Sequence, residues 1–261
     1  MRLMRLRSVF NALLDRSLDG SSWLEPLCAM AACSRPKTSR VPATINRLLL
    51  PETPVDAALR NGIVFERLMP PPATFLRWLL NHSDRMRVDN PAHFHAGSET
   101  ATDWRRKLFS PDPRVVAKAK REALASLTAL GAEGSKHAWW AFEGFARIDC
   151  CLVTDTFVLF IEAKDTEAVS PSTKWFPHRS QLWRNVEVAH QFARGRDFGV
   201  ILMVDTDAQG VHMLDASAKR LTDSYPHLSV AERLELAHHL MGFVPWTAVA
   251  ARFGLPARLL A

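Results

Sequence analysis

Apolar and polar residues change period along this 261-residue chain. In its first third, helical spacing dominates. Residues 7–18, 54–68 and 74–81 carry apolar side chains three and four positions apart, which predicts helices. Pro70-Pro71-Pro72 separates the last two, because a proline run removes the N–H groups that a helix needs. Residues 34–42, rich in Pro, Ser and basic side chains, read as a loop. Residues 89–103 are polar, contain Pro91, His93, His95 and Gly97, and read as an irregular connection. The clearest helix covers 112–130. Ser110-Pro111-Asp112-Pro113 starts it, Gly131 stops it, and Val115, Val116, Ala119, Ala123, Leu124, Leu127 and Leu130 form its apolar stripe.

Beyond that helix the period shortens. Residues 137–142, with Trp139 and Trp140, read as a strand. Residues 148–153 and 157–161 are apolar runs rich in β-branched and aromatic side chains, and Thr154-Asp155-Thr156 breaks them apart. That is the pattern of a hairpin of buried strands. A helix over 179–194 follows, then the continuous apolar run 200–204, a buried and central strand. A helix is expected over 230–241. Residues 245–260 read as a C-terminal packing helix, or as the first half of a helix-turn-helix, with Ala250 and Gly254 at the turn spacing but no second helix to enter a groove. The alternation predicts an α/β protein with a mixed central sheet. A helical and irregular basic extension is expected over residues 1–110 and the α/β domain over 111–261.

Three charges stand out against this apolar background. Asp149 interrupts the first hairpin strand, and Glu162 and Lys164 close the second. Charge in a buried strand is costly unless compensated. Residues two apart share a strand face, so Glu162 and Lys164 point the same way. A hairpin turning near Asp155 brings Asp149 across from Glu162. Two carboxylates and a lysine then meet on one patch, where a divalent cation with hard oxygen ligands would resolve the charge. The alternative is a solvated ion pair at a strand end, with Asp149 capping a turn.

The order Asp149, a short gap, then Glu162-Ala163-Lys164 resembles the PD-(D/E)XK nuclease superfamily, the restriction-endonuclease-like enzymes. The resemblance covers residues 114–207. It departs from the named pattern in having Ile148 in place of the proline, and it singles out no one family. It implies an αβββαβ core and metal-dependent hydrolysis of phosphodiester bonds in nucleic acid, most readily as a DNA endonuclease. Asp149, Glu162 and the Ala163 carbonyl are then expected to bind Mg²⁺, with Mn²⁺ as a substitute, and Lys164 to orient water or stabilise the transition state. Glu122, on the helix before the sheet, is a further candidate ligand. Glu143 is a candidate to bind or position one. Gln181, with Asn185 one helical turn on, is a candidate to face the site. The competing readings are a non-catalytic nucleic-acid-binding or regulatory module on the same fold, and a transcription regulator using the C-terminal motif.

Charge adds weight to a nucleic-acid partner. The net charge is +6, and residues 1–110 hold 16 Lys and Arg against 10 Asp and Glu, whereas residues 111–261 hold 17 of each. A basic segment beside such a core suits phosphate binding. No apolar run approaches the roughly 20 residues of a membrane span. The basic start is followed by Asp15, Asp19 and Glu25 and reads as an amphipathic helix of a cytoplasmic protein. Cys150 and Cys151 are adjacent and face opposite ways, Cys28 and Cys33 have no partner pair, and all four are expected to be reduced. A homodimer is compatible with this reading.

Overall fold

A computed structural model describes residues 2–16, 23–34, 63–132, 134, 138–154, 157–165, 168–214 and 217–260. Five strands form one mixed sheet: β1 (Ile63–Met69), β2 (Ala146–Val153), β3 (Phe157–Ala163), β4 (Asp197–Val204) and β5 (Leu240–Pro245). They lie side by side in chain order. β1, β2 and β3 form an antiparallel meander, and β4 and β5 add in parallel to β3. Ten helices surround the sheet among the described residues: α1 (Arg2–Arg16), α2 (Leu24–Cys33), α3 (Ala73–Asn81), α4 (Glu99–Lys107), α5 (Pro113–Leu130), α6 (Gln181–Ala193), α7 (Asp207–Met213), α8 (Ala218–Ser224), α9 (Val230–His238) and α10 (Trp246–Phe253).

Every residue of β3 and all but the first of β4 are buried, as their unbroken apolar runs require of strands covered on both faces. On one face Cys150, Leu159, Ile161 and Ile201 pack against Leu6 and Phe10 of α1, Leu27 of α2 and Trp246 of α10. On the other, Phe160, Val200 and Leu202 pack against Leu182, Val186 and Ala189 of α6, Leu221 of α8 and Leu236 of α9. A third core of Phe75, Leu79, Ala123, Leu127, Phe142 and Trp175 joins α3 and α5 to the aromatic loops. β5 approaches α2 so closely that a Cβ on Gly242 (φ 135°) would lie 2.0 Å from the Ala31 carbonyl oxygen.

The 112–130 helix starts as its sequence signals, with Asp112 accepting from the Arg114 N–H at 2.8 Å and Gly131 ending it at φ 63°. Four expectations need correction. Residues 138–143 form turns, not a strand, because Trp139 and Phe142 leave in different directions. Trp139 stacks on Trp104, with ring centres 5.6 Å apart, and Phe142 meets Trp175 at 4.6 Å. The first strand instead is β1, inside a stretch with helical spacing; pairing with β2 outweighs that periodicity. Residues 99–107 form a helix capped by Ser98, which accepts from the Ala101 N–H, and pinned by Arg105 to the Trp139 carbonyl at 2.6 Å. The helix over 230–241 ends at His238, and the apolar run after it is β5. β1 pairs with β2, and α1 and α2 pack in the core on one face of the sheet. α10 buries Trp246, Val249 and Ala250 as a packing helix. Residues 35–62, the hairpin turn at 155–156 and residue 137 lie outside the described residues.

Candidate active site at the end of the third strand

In the β2–β3 pairing Cys150 lies opposite Ile161 and Cys151 opposite Phe160. One step further, the same register brings Asp149 across from Glu162. Phe160 packs beneath α6, so Glu162, two residues on, points to α6 as well. There its Oε1 accepts from Lys164 Nζ at 2.8 Å and from Gln181 Nε2 at 2.7 Å. Its Oε2 accepts from Asn185 Nδ2 at 2.9 Å. Lys164 Nζ also reaches Gln181 Oε1 at 3.4 Å. Asp149 Oδ2 accepts the backbone N–H of Ala163, between the other two, at 2.9 Å. Asp149, Glu162 and Lys164 are 4%, 1% and 4% exposed.

The backbone has a local cause for this convergence. β2 changes face at Asp149: Cys150 and Leu152 belong to the core under α1 and α2, whereas Ile148 and Ala146 belong to the core under α6. Across from it in β1, Glu66 has φ 53°, a left-handed conformation that costs a side-chain-bearing residue on the order of 1 kcal/mol. The shared kink takes Asp149 out of the regular pleat, so that its carboxylate can bond the β3 backbone.

α6 supplies the rest. Gln181, Arg184 and Asn185 stand at spacings of three and four, hence on one face. Arg184 is half-buried, and its side chain makes no hydrogen bond or ion pair among the described residues. Burial lowers its pKa; Glu143 and Glu162 pull it back up, and Arg179 adds to the lowering. The Asn185 Oδ1 is buried without a hydrogen-bond partner.

Glu143 belongs to a neighbouring network. Its carboxylate is held by the fully buried Arg179. Arg179 also bonds Glu187 at 2.9 Å and the Ser224 carbonyl at 2.9 Å, and it lies 3.7 Å over the Phe75 ring. Glu187 meets His227 at 2.8 Å. Burial raises the Glu143 carboxyl above its usual range against the opposing pull of Arg179 and Arg184. Burial acts the same way on Glu187, but Arg179 and His227 outweigh it and hold that carboxyl low. Glu122 is exposed on α5, whose buried face turns into the third core; the described contacts do not bring it to the Asp149 cluster. The cluster thus unites Asp149, Glu162, Lys164 and Gln181, while Glu143 and Glu122 stand apart. Sequence spacing missed Arg184, although its place three residues after Gln181 was the signal. Arg179 carried no signal, because Glu143 and Ser224, two of its three polar partners, lie 36 and 45 residues away in the chain.

No group of three or more His, Cys, Asp and Glu poised around a metal ion occurs among the described residues. The donor chemistry at the end of β3 nevertheless fits a hard divalent ion: two carboxylates, the Ala163 carbonyl, and beside Glu162 the orphaned Asn185 oxygen. The chain matches no protein-family model, no curated protein and no solved structure. No helix among the described residues is long and apolar enough to cross a membrane.

Proposed function

We propose that this protein is a metal-dependent nuclease that hydrolyses phosphodiester bonds of nucleic acid, DNA foremost, on a restriction-endonuclease-like core. The observation that carries the reading is the meeting of Asp149, Glu162 and Lys164 in one buried patch at the end of β3. The sheet agrees with it. An antiparallel β1–β2–β3 meander, then α6, then the parallel β4 follows the αβββαβ order, with α3, α4 and α5 inserted between the first two strands.

Asp149, Glu162 and the Ala163 carbonyl would hold Mg²⁺, with Asn185 Oδ1 adjoining. A bound ion supplies charge neutralisation at the scissile phosphate and an acidified water. Gln181 and Asn185 fix the Glu162 carboxylate by donating to its two oxygens, so little reorganisation is needed when substrate arrives. Lys164, poised between Glu162 and Gln181, donates to the attacking water or to the phosphate oxygen on which charge develops. Arg184 brings a guanidinium with uncommitted donors, suited to a phosphate oxygen.

Supercoiled, linear and single-stranded DNA, and RNA, incubated with Mg²⁺ or Mn²⁺ and separately with EDTA, test the proposal. Cleavage that needs the metal is expected. A purified protein that binds Mg²⁺ but cuts none of these substrates overturns it, and nucleic-acid binding without cleavage selects the non-catalytic alternative.

A further inference from the structure

At the far end of α6 a cavity of about 440 Å³ opens between the end of β1 and the turn after α6. Among the described residues three arginines line it, Arg67, Arg194 and Arg196, and no acidic residue does. They play different parts. Arg196 spends its donors on carbonyls, bonding Ala193 at 2.9 Å, Phe192 at 3.1 Å and Thr154 at 3.1 Å. It is a fixed charge. Arg67 lies 4.6 Å over the Phe192 ring, and its guanidinium makes no hydrogen bond or ion pair among the described residues. A guanidinium seated over a ring face can still offer its opposite side and its N–H groups to a ligand. Arg194 is exposed at the rim. Apart from Gln191, the other described residues of the wall are apolar, with Leu68, 44% exposed, among them. Gln191 Oε1 is buried without a hydrogen-bond partner.

A bare inorganic anion would use the arginines and waste the rest. A ligand with a phosphate, a flat π-surface and a hydrogen-bond donor uses all of it. We propose that this cavity is a nucleotide-binding site, in which a base stacks on the Arg67 guanidinium backed by Phe192 while its phosphate meets Arg67 and Arg194. The proposal rests on the nucleic-acid reading of the Asp149 site for its choice of ligand. Gln181 and Phe192 are eleven residues apart on α6, roughly 16 Å at helical rise. A single strand leaving the Asp149 site along α6 reaches the cavity within a few nucleotides.

Fluorescence anisotropy with a labelled oligo-deoxyadenylate, in EDTA and at low salt, tests this apart from any cleavage. Arg67→Glu is expected to weaken binding roughly tenfold or more, and Arg67→Lys, which keeps the charge but loses the plane, by several-fold. Arg194→Glu provides a second reading should Arg67→Glu fail to fold. Displacement of the oligonucleotide by 5′-AMP supports a site that also takes free nucleotides; absence of displacement supports one that takes only a strand. The proposal is overturned if the wild type binds no oligonucleotide, if both charge reversals leave binding within about twofold of wild type, or if Arg67→Lys binds as tightly as wild type. Loss of nuclease activity alone would leave this result untouched.

Discussion

Lys164 and Asp149 stand in the same patch, and the proposed nuclease mechanism gives them different roles that substitution would separate. Asp149→Ala removes an oxygen ligand, so Mg²⁺ affinity measured by calorimetry should collapse along with cleavage. Lys164→Ala removes no ligand and relieves a positive charge beside the ion. It should bind Mg²⁺ at least as well and yet cleave on the order of 10²-fold more slowly, the scale for one lost transition-state donor. Wild-type cleavage by Lys164→Ala would sink the assignment. Arg184 invites the opposite experiment. An uncommitted, half-buried guanidinium contributes little to the fold, so Arg184→Gln should melt at or above the wild-type temperature while KM for nucleic acid rises about tenfold or more. A lower melting temperature with unchanged KM would make Arg184 a structural residue. These sites were unequally visible in the sequence. Asp149, Glu162 and Lys164 were legible because charge inside apolar strands demands a reason. The network around Arg179 was not, since what makes it coherent is burial, which local spacing does not report.

Secondary elements show the same divide. Strands β2, β3 and β4 and helices α5 and α6 were legible because each is long, strongly patterned and bounded by turn residues. β1 was not, because its identity comes from β2: Ile63 pairs with Leu152 and Met69 with Ala146, across about eighty residues of intervening chain. Arg179 shows what holds the inserted helices to the sheet, linking Phe75 of α3, Glu143 of the aromatic turn and Glu187 of α6. Removing one member of a buried ionic group leaves the others uncompensated, so Arg179→Met should cost about 3–5 kcal/mol at neutral pH. The pH dependence follows from the carboxyls. In the wild type Glu187 is held low, so its stabilisation is present above the ordinary carboxyl pKa of 4.5 and is lost as pH falls through the lower folded value. Without Arg179, burial should raise both carboxyls. Their protonated forms then favour the fold below about 4.5, and that advantage is lost as pH rises through the raised values. The gap between variant and wild type should therefore narrow on acidification, as denaturant melts across pH would show. A gap independent of pH would mean that the network does not couple to ionisation.

At the scale of the molecule, one sheet draws β1 from the basic first part of the chain and β2 to β5 from the rest. The positive excess of residues 1–110 thereby acquires a location. Part of it rides on β1, where Arg67 lines the cavity beside α6, and on α1, where Arg7 lies beside Phe65 of β1. Arg147 of β2 stands near the same edge, in contact with Glu66. A nucleic acid held along that edge would displace counterions in proportion to the phosphates neutralised. With three to five such contacts on a single strand, the logarithm of the binding constant should fall with the logarithm of salt concentration at a slope of about −2 to −3.5. Reversing one contributing arginine should reduce that slope by about one, whereas Asp149→Ala, which removes no cation, should leave it unchanged. Anisotropy titrations over a salt series, in EDTA so that no cleavage intervenes, read both quantities. A slope near zero in the wild type would place the partner outside the polyanions and remove the electrostatic support for a nuclease.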